Sequence, residues 1–241
     1  MRYGIISDIH GNLEALEAIL KELKKEGVER YLMVGDVVGY GANPKECIEI
    51  VRELPGLSCV AGNHDWGVLE KTPLEYFNLV AREALIWTKD VLKEMHLKFL
   101  EKLPLMVEEE DFTLVHATLE APQEWRYIYS TYEAHRNMDL QNTQVCFCGH
   151  SHIPIFFFQN EHTFFGREEE LEIKEGYKYL INVGSVGQPR DGDPRACAVI
   201  YDTEKKVVKY IRKEYNISRA QEKIWEEGLP RVLGIRLEYG E

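Results

Sequence analysis

The chain has 241 residues, enough for one large domain with a core of its own. Apolar residues make up 44% of the sequence and charged residues 29%, which excludes a disordered or fibrous protein. Acidic residues number 41 and basic residues 29, a net charge of −12, so nucleic-acid binding through a broad cationic surface is not expected.

The first half of the chain alternates short apolar runs with helical patterns. Strands are predicted over residues 2–7, 31–34 and 57–61. One helix is predicted from Leu13, with Asn12 as its N-cap and Gly27 as its stop; a second begins at Pro44, and two more occupy residues 72–102. This strand–helix–strand order predicts parallel strands with helices outside the sheet.

The second half shows strand patterns with few helices between them. The strands are predicted over residues 105–107, 112–115, 145–148, 153–158, 163–165, 179–183, 196–201 and 207–211, and a last helix over about 218–227. We therefore expect one α/β domain over residues 1–241 with two sheets, one fed by strand–helix units and one mostly antiparallel. Residues 119–143 show no clear strand and are interpreted as a small cap-like insertion, and the acidic run 168–170 as a solvated loop.

Three further features bear on location. No apolar run approaches the roughly 20 residues that a membrane-spanning helix needs. The first residues become acidic too early for a signal peptide. Five scattered cysteines are typical of reduced thiols rather than of a disulfide framework. We therefore expect a cytoplasmic protein without membrane contact; the pattern does not indicate an oligomeric state.

Residue types that bind metals follow five of the predicted strands. They are Asp8 and His10 after the first, Asp36 after the second, Asn63 and His64 after the third, His116 after 112–115, and His150 and His152 after 145–148. The carboxyl ends of strands in such a sheet lie along one edge, where ligands bind. Each residue alone has a structural alternative, such as a turn cap or a hydrogen-bonded core histidine. Together, and in this order, they predict a metal site.

The chemistry of this set favours two metal ions. Seven of these eight residues would suffice as ligands for two adjacent divalent ions that share one carboxylate, and Asp36 is the natural bridge between ions about 3.5–4 Å apart. Mixed imidazole, carboxylate and amide ligands favour Mn, Fe, Co, Ni or Zn over Ca or Mg. With two aspartates and a bridging hydroxide, the pocket keeps a net charge of about +1 and is expected to attract a phosphate group.

The motif order Asp-x-His, Gly-Asp, Gly-Asn-His-Asp, His, Gly-His-x-His resembles that of the calcineurin-like metallophosphoesterases. Residues 182–190, Asn-Val-Gly-Ser-Val-Gly-Gln-Pro-Arg, also resemble the small prokaryotic branch, which includes phosphodiesterases and relatives of diadenosine tetraphosphatase. The resemblance covers nearly the whole chain. It implies a four-layer α/β/β/α sandwich, with two mixed sheets flanked by helices.

The resemblance also implies a role for each site residue. It assigns one metal to Asp8, His10, Asp36 and His152, and the other to Asp36, Asn63, His116 and His150. It implies that His64 is a general acid that protonates the leaving group, and that Mn is the preferred metal, with Fe, Ni, Zn or Co as alternatives. A hydrogen bond from His64 to Asp65 is the structural alternative for that histidine.

One departure from the family pattern bears on the substrate. Gly39 and Tyr40 stand where the Ser/Thr protein phosphatases carry an Asp and an Arg, and that Arg would clamp a monoester phosphate. We therefore expect hydrolysis of a phosphodiester or pyrophosphate bond in a small substrate, a nucleotide being one candidate, by in-line attack of a metal-bridging hydroxide. A phosphomonoesterase or protein phosphatase, and a non-catalytic interaction scaffold, are the alternatives.

Substrate contacts are expected from three further residues: Asn12, Ser185 and Arg190. Asn12 has a helix cap as its alternative role, and Arg190 a place in a solvated loop. Trp125 and Tyr127 have two interpretations, stacking on a nucleobase or packing inside the cap.

Overall fold

The computed structural model describes all 241 residues and contains two six-stranded sheets. Across the first sheet the strands are β3 (Ser58–Cys59), β2 (Arg30–Met33), β1 (Arg2–Ile6), β11 (Ala196–Asp202), β12 (Val207–Lys213) and β9 (Glu170–Glu172). The pairs β1–β2 and β2–β3 are parallel, and the other three are antiparallel. The carboxyl ends of β1, β2 and β3 therefore lie at one edge.

The second sheet has the same mixture of pairings. Its strands are, in order, β4 (Met106–Glu108), β5 (Thr113–Val115), β6 (Val145–Cys148), β10 (Lys178–Asn182), β7 (Ile155–Gln159) and β8 (Thr163–Gly166). The pairs β5–β6 and β6–β10 are parallel and the rest antiparallel, including the predicted β4–β5 hairpin. The expectation that one sheet is built from strand–helix units and the other is mostly antiparallel is thus wrong as a contrast. The strands β11, β12 and β9 add three antiparallel pairs to the first sheet.

Helices cover the outer faces of both sheets. They are α1 (Leu13–Lys25), α2 (Pro44–Arg52), α3 (Asn63–Val68), α4 (Leu79–Val91), α5 (Glu94–Glu101), α6 (Thr131–Asp139), α7 (Ile217–Glu226) and α8 (Arg231–Tyr239). The apolar faces of α1, α2 and α5 pack on the first sheet, and that of α6 packs on the second.

The core between the two sheets follows from strand alternation. In β6, Val145 and Phe147 point into this core, where they meet Ile5 and Val199 of the first sheet. The alternate residues of β6, both cysteines, face α6 instead. Two mixed sheets with helices on either side confirm the four-layer α/β/β/α sandwich.

Four elements differ from the sequence-based expectation. The helices α3, α6 and α8 were not predicted, and the acidic run 168–170 is not entirely a loop because Glu170 begins β9. This three-residue strand pairs only with β12, at the edge of the sheet, where Glu170 is exposed and its charge stays in water.

All five cysteines are buried free thiols. No helix is long and apolar enough to cross a membrane.

Candidate metal centre

The predicted metal-binding residues converge where the two sheets meet. Loops after β1 and β2 carry Asp8, His10 and Asp36. The first turn of α3, which follows β3, carries Asn63 and His64, and loops after β5 and β6 carry His116, His150 and His152. All of these side chains are buried except that of Asn63, which is partly exposed. Their ligand atoms form three overlapping groups: Asp8 with His10 and His152, Asp36 with His116 and His150, and Asp36 with His10 and His64.

The first group centres on one oxygen of Asp8. Its Oδ2 accepts hydrogen bonds from the Ser7 hydroxyl at 2.6 Å and from the His150 amide at 3.1 Å. Its Oδ1 is buried without a hydrogen-bond partner, 3.3 Å from Nε2 of His152 and 3.8 Å from Nε2 of His10. The carboxylate is therefore held by one oxygen and free to bind through the other.

The second group centres on Asp36. Its Oδ1 accepts a hydrogen bond from the His64 amide at 2.8 Å. Its Oδ2 lies 3.3 Å from Nε2 of His116 and 3.6 Å from Nε2 of His10, which belongs to the first group. Oδ1 of Asn63 lies 3.2 Å from Nε2 of His116. Asp36 therefore places one oxygen between the two groups.

The tautomers of three histidines follow from their backbone contacts. Nδ1 of His10, His116 and His152 lies 3.0, 2.7 and 2.6 Å from the carbonyl oxygens of Val38, Val34 and Gln188. A carbonyl only accepts, so each Nδ1 carries a proton, and Nε2 is the atom that presents a lone pair when the ring is neutral. This is how metal-ligating histidines are usually oriented.

These lone pairs fit a cation. Nε2 of His10 and Nε2 of His152 lie 3.1 Å apart, although neither ring has a proton to share there. Nε2 of His150 is buried and has no hydrogen-bond partner. Acceptors crowded in this way repel one another unless a positive charge lies between them. Because imidazole, carboxylate and amide donors are mixed, the residues fit divalent transition-metal ions.

The pKa values of two histidines also fit a site for a cation. Burial lowers the pKa of His150 to about 3, which leaves its ring neutral and able to ligate. Burial alone would also lower the pKa of His116, but the carboxylates of Asp36 and Asp8 outweigh it and raise that pKa to about 9. In the metal-free protein the His116 ring therefore carries a second proton, at Nε2, and a cation bound there would take the place of that proton.

The backbone at the site is strained. Five of the seven predicted ligands have a positive φ: Asp8 at 52°, His10 at 50°, Asp36 at 57°, His150 at 67° and His152 at 60°. Such angles are uncommon outside glycine and persist only where the surrounding structure enforces them. At Gly62 a Cβ atom would overlap the Asp36 carboxylate, so only glycine lets these loops approach each other.

His64 is enclosed mainly by rings. It contacts His10, Tyr40 and Phe77 at centroid distances of 4.7, 4.6 and 5.2 Å. Its Nδ1 is buried and has no hydrogen-bond partner, and a Cβ at Gly39 would overlap that atom. Burial lowers the pKa of His64 to about 4, so the free ring is neutral at pH 7. Packing against these three rings, rather than a hydrogen bond to Asp65, therefore orients His64.

Asp65 is the structural residue that the sequence analysis missed. Its carboxylate accepts hydrogen bonds from the backbone amides of Gly62, Asp36 and Val37 at 2.9, 2.9 and 3.1 Å. It ties the loop after β3 to the loop after β2 and does not hydrogen-bond to the His64 ring. The signal was its place in the Gly-Asn-His-Asp motif, where Asn63 and His64 were assigned roles and Asp65 was considered only as a hydrogen-bond partner of His64.

The three predicted substrate contacts lie around the centre. Asn12 caps α1 through Ala15, and its amide donates to the Gly187 carbonyl at 2.9 Å. Ser185 is fully buried, and its hydroxyl donates to the Asp8 carbonyl at 2.8 Å. Both side chains thus hold the loop after β10 against the loop after β1, and their contact with a substrate stays a prediction.

Arg190, the third predicted contact, is partly exposed. Its guanidinium donates to Oε1 of Gln188 at 3.1 Å and to the hydroxyl of Tyr40 at 3.4 Å. Its charge lies close enough to lower the pKa of His152, after the larger effect of burial. Arg190 therefore adds positive potential to the side of the centre that Tyr40 borders.

The fold and the site are joined by a family match. The four-layer sandwich gathers buried aspartates and histidines at its strand ends, where they could hold metal ions. Residues 1–206 match the calcineurin-like phosphoesterase superfamily domain. The chain therefore belongs to the calcineurin-like phosphoesterase superfamily, and its class of activity is metal-dependent phosphoester hydrolysis.

Similar proteins extend over the whole chain. An uncharacterised protein of Methanocaldococcus jannaschii is 45% identical over 242 residues, covering 98% of this chain and 97% of the other. The crystal structure of a metallophosphoesterase from Sphaerobacter thermophilus is 41% identical, with a TM-score of 0.88 and coverage of 100% and 99%. A hypothetical protein from Pyrococcus horikoshii shares the fold at 21% identity, with a TM-score of 0.83 and coverage of 100% and 98%.

Proposed function

We propose that this protein hydrolyses a phosphodiester or pyrophosphate bond of a small substrate with the help of two divalent transition-metal ions. The observation that carries the proposal is the pair of ligand groups that meet at Oδ2 of Asp36. Asp8, His10 and His152 would hold one ion, and Asn63, His116 and His150 the other. Ions bound there supply Lewis acidity for the phosphate and lower the pKa of a water that attacks phosphorus.

His64 is proposed as the proton donor. The alkoxide that leaves phosphorus needs a proton, and the His64 ring lies beside Asp36 and Asn63 without any side-chain hydrogen bond of its own. Packing by Tyr40 and Phe77 keeps the ring aimed at the centre. A phosphate bound there carries negative charge, which favours the protonated form of the imidazole.

The proposed class of substrate rests on the residues around His64. No arginine stands at position 39 or 40, where the Ser/Thr protein phosphatases carry the one that clamps a monoester phosphate, and this supports a diester or pyrophosphate substrate. Arg190, held by Tyr40 and Gln188, is proposed to contact a phosphate oxygen. Asn12 and Ser185 would act by holding the loop that carries Arg190.

The remaining parts of the proposal concern the whole chain. We propose manganese as the preferred metal, with Fe, Ni, Zn or Co as alternatives. The chain is proposed to form one domain in which residues 119–143 act as a small cap. Five free, buried cysteines support a reducing compartment such as the cytoplasm.

Activity of metal-loaded protein tests the proposal. Protein stripped of metal and reloaded with Mn²⁺ is expected to cleave bis(p-nitrophenyl) phosphate faster than p-nitrophenyl phosphate, measured by release of p-nitrophenol. The metal-free protein is the control. A higher rate on the monoester would favour a phosphomonoesterase. No turnover with Mn, Fe, Co, Ni or Zn, together with less than one bound ion per chain, would favour a scaffold instead.

A further inference from the structure

A cavity of about 490 Å³ opens beside the candidate metal centre. Segment 71–78 lines one part of it and segment 123–127 another, and Asn63, His64 and His150 also line it. A group bound in this cavity is therefore in contact with the proposed metal ligands and with the proposed proton donor. The cavity falls within the range of about 300–1,000 Å³ that small-molecule sites occupy.

The cavity presents aromatic rings whose positions are fixed. The indole N–H of Trp125 donates to the hydroxyl of Thr72 at 3.0 Å, and its ring meets Trp66 edge-on at a centroid distance of 5.4 Å. Trp125 has a φ of 54°, a strained angle for so bulky a residue. Tyr127 stacks on the His150 ring at 4.1 Å and on the Tyr129 ring at 5.1 Å, so its faces are already covered. The cap segment thus holds two rings rigidly against the metal centre.

The size and lining of the cavity favour a nucleoside. Aromatic side chains stack on the flat faces of bases with little dependence on sequence, and Trp125, whose contacts with Trp66 and His116 are both edge-on, is the ring available for such stacking. A single phenyl ring would leave most of a 490 Å³ cavity unfilled, whereas a base with its ribose would occupy far more of it. The cavity also offers polar partners to the edges of a base, among them the side chains of Lys71, Asn78 and Gln123.

We propose that this cavity binds the nucleoside on the leaving-group side of the phosphate, an inference that rests on the proposed function. His64 lines the cavity and touches Phe77, so the oxygen nearest the proton donor belongs to the nucleoside bound there. One water is consumed: its oxygen bonds to phosphorus, the bond from phosphorus to the nucleoside oxygen breaks, and that oxygen receives a proton from His64. One proton of the water replaces the one that His64 gives up, and the other stays on the phosphate product or passes to solvent.

Three dinucleoside monophosphates test the inference. One carries both bases, one lacks the base of its 5′ residue and one lacks the base of its 3′ residue, so the phosphodiester stays the same. Removing one particular base is expected to lower kcat/KM by about 5- to 100-fold. That base must belong to the product that leaves without phosphate. Equal kcat/KM for all three, or dependence on the base that stays with the phosphate, would overturn the inference.

Variants of Trp125 connect this preference to the cavity. The preference is the kcat/KM for the substrate with both bases divided by the kcat/KM for the substrate that lacks the leaving-group base. In Trp125→Ala this ratio is expected to lie within about threefold of 1. Trp125→Phe, which keeps an aromatic face, should retain most of the preference. Trp225→Ala removes an indole from α7, outside the cavity, and should keep the wild-type ratio. An unchanged ratio in Trp125→Ala would contradict the assignment.

Adenosine binding to metal-free protein separates the two proposals. Adenosine has no phosphate, so its dissociation constant, measured by calorimetric or NMR titration, reports the cavity alone. Trp125→Ala is expected to raise that constant about 5- to 100-fold. Normal adenosine binding without any phosphodiester turnover would reject the proposed function and keep the cavity assignment. Turnover of bis(p-nitrophenyl) phosphate without adenosine binding or dinucleotide turnover would reject the cavity assignment alone.

Discussion

Asp36→Asn is expected to lower phosphodiester turnover by about 10³-fold or more, which corresponds to about 4 kcal/mol of transition-state stabilisation. Oδ2 of Asp36 lies between His10 and His116, so losing its charge weakens both proposed ion sites at once. The asparagine oxygen can still accept the hydrogen bond from the His64 amide. Its new N–H₂ group would face two imidazole lone pairs, which should preserve the fold.

Metal content and thermal unfolding distinguish this result from misfolding. Asp36→Asn should bind one ion or none after reloading, and its metal-free form should unfold cooperatively at a moderately lower Tm, because the carboxylate that raises the pKa of His116 is lost. Asp139→Asn, an exposed carboxylate on α6, is the matched control and should keep full metal content and activity. Full activity of Asp36→Asn with two bound ions would remove Asp36 from the proposed bridge.

His64→Ala is expected to separate chemistry from metal binding. A general acid contributes about 10²- to 10⁴-fold, and its contribution depends on how badly the leaving group needs a proton. A diester with an alkyl leaving group should therefore lose turnover in that range. With p-nitrophenolate, which leaves readily without a proton, the loss should be about tenfold or less. Metal content should match the wild type, because the other donors are unchanged.

The control for this variant is another histidine. His162 is exposed on the loop between β7 and β8, away from the site, and His162→Ala should behave as wild type with both substrates. An equal loss of turnover with both leaving groups would mean that His64 acts in some other way than as a proton donor. Loss of bound metal would place His64 among the ligands, as its proximity to His10 and Asp36 allows.

The positions of the proposed ligands were predictable because each one follows a strand. Buried runs such as those ending at Ile6 and Cys148 identify strands, and parallel strands end at a common edge. The sequence could not predict which atom of Asp36 lies between His10 and His116. That detail depends on left-handed backbone angles at several ligands, which side-chain patterns do not encode.

The parts of the fold that were missed have separate physical causes. The antiparallel pairing of β11 with β1 joins residues about 200 positions apart, and local pattern does not encode such pairing. Helix α6 has only a short apolar face, although Ser130 and Glu133 form a capping box that marked its start. The glycine inside α8, Gly234, packs against Trp225 and weakens the helical pattern there.

The role of the cap segment needed coordinates. Both interpretations of Trp125 and Tyr127 were open because the sequence does not say which way the rings face. In the structure the two residues line the cavity and also pack on histidines of the site, Trp125 edge-on to His116 and Tyr127 face-on to His150. The two interpretations are therefore compatible, since the same rings complete the cap and border the proposed substrate cavity.

The most direct measurement is the anomalous diffraction of a crystal of this protein loaded with Mn²⁺. We predict two manganese peaks per chain, about 3.5–4 Å apart, with Asp36 between them. Asp8, His10 and His152 should contact one peak, and Asn63, His116 and His150 the other. A single peak, no peak, or peaks away from these side chains at full metal loading would contradict the proposed dinuclear centre.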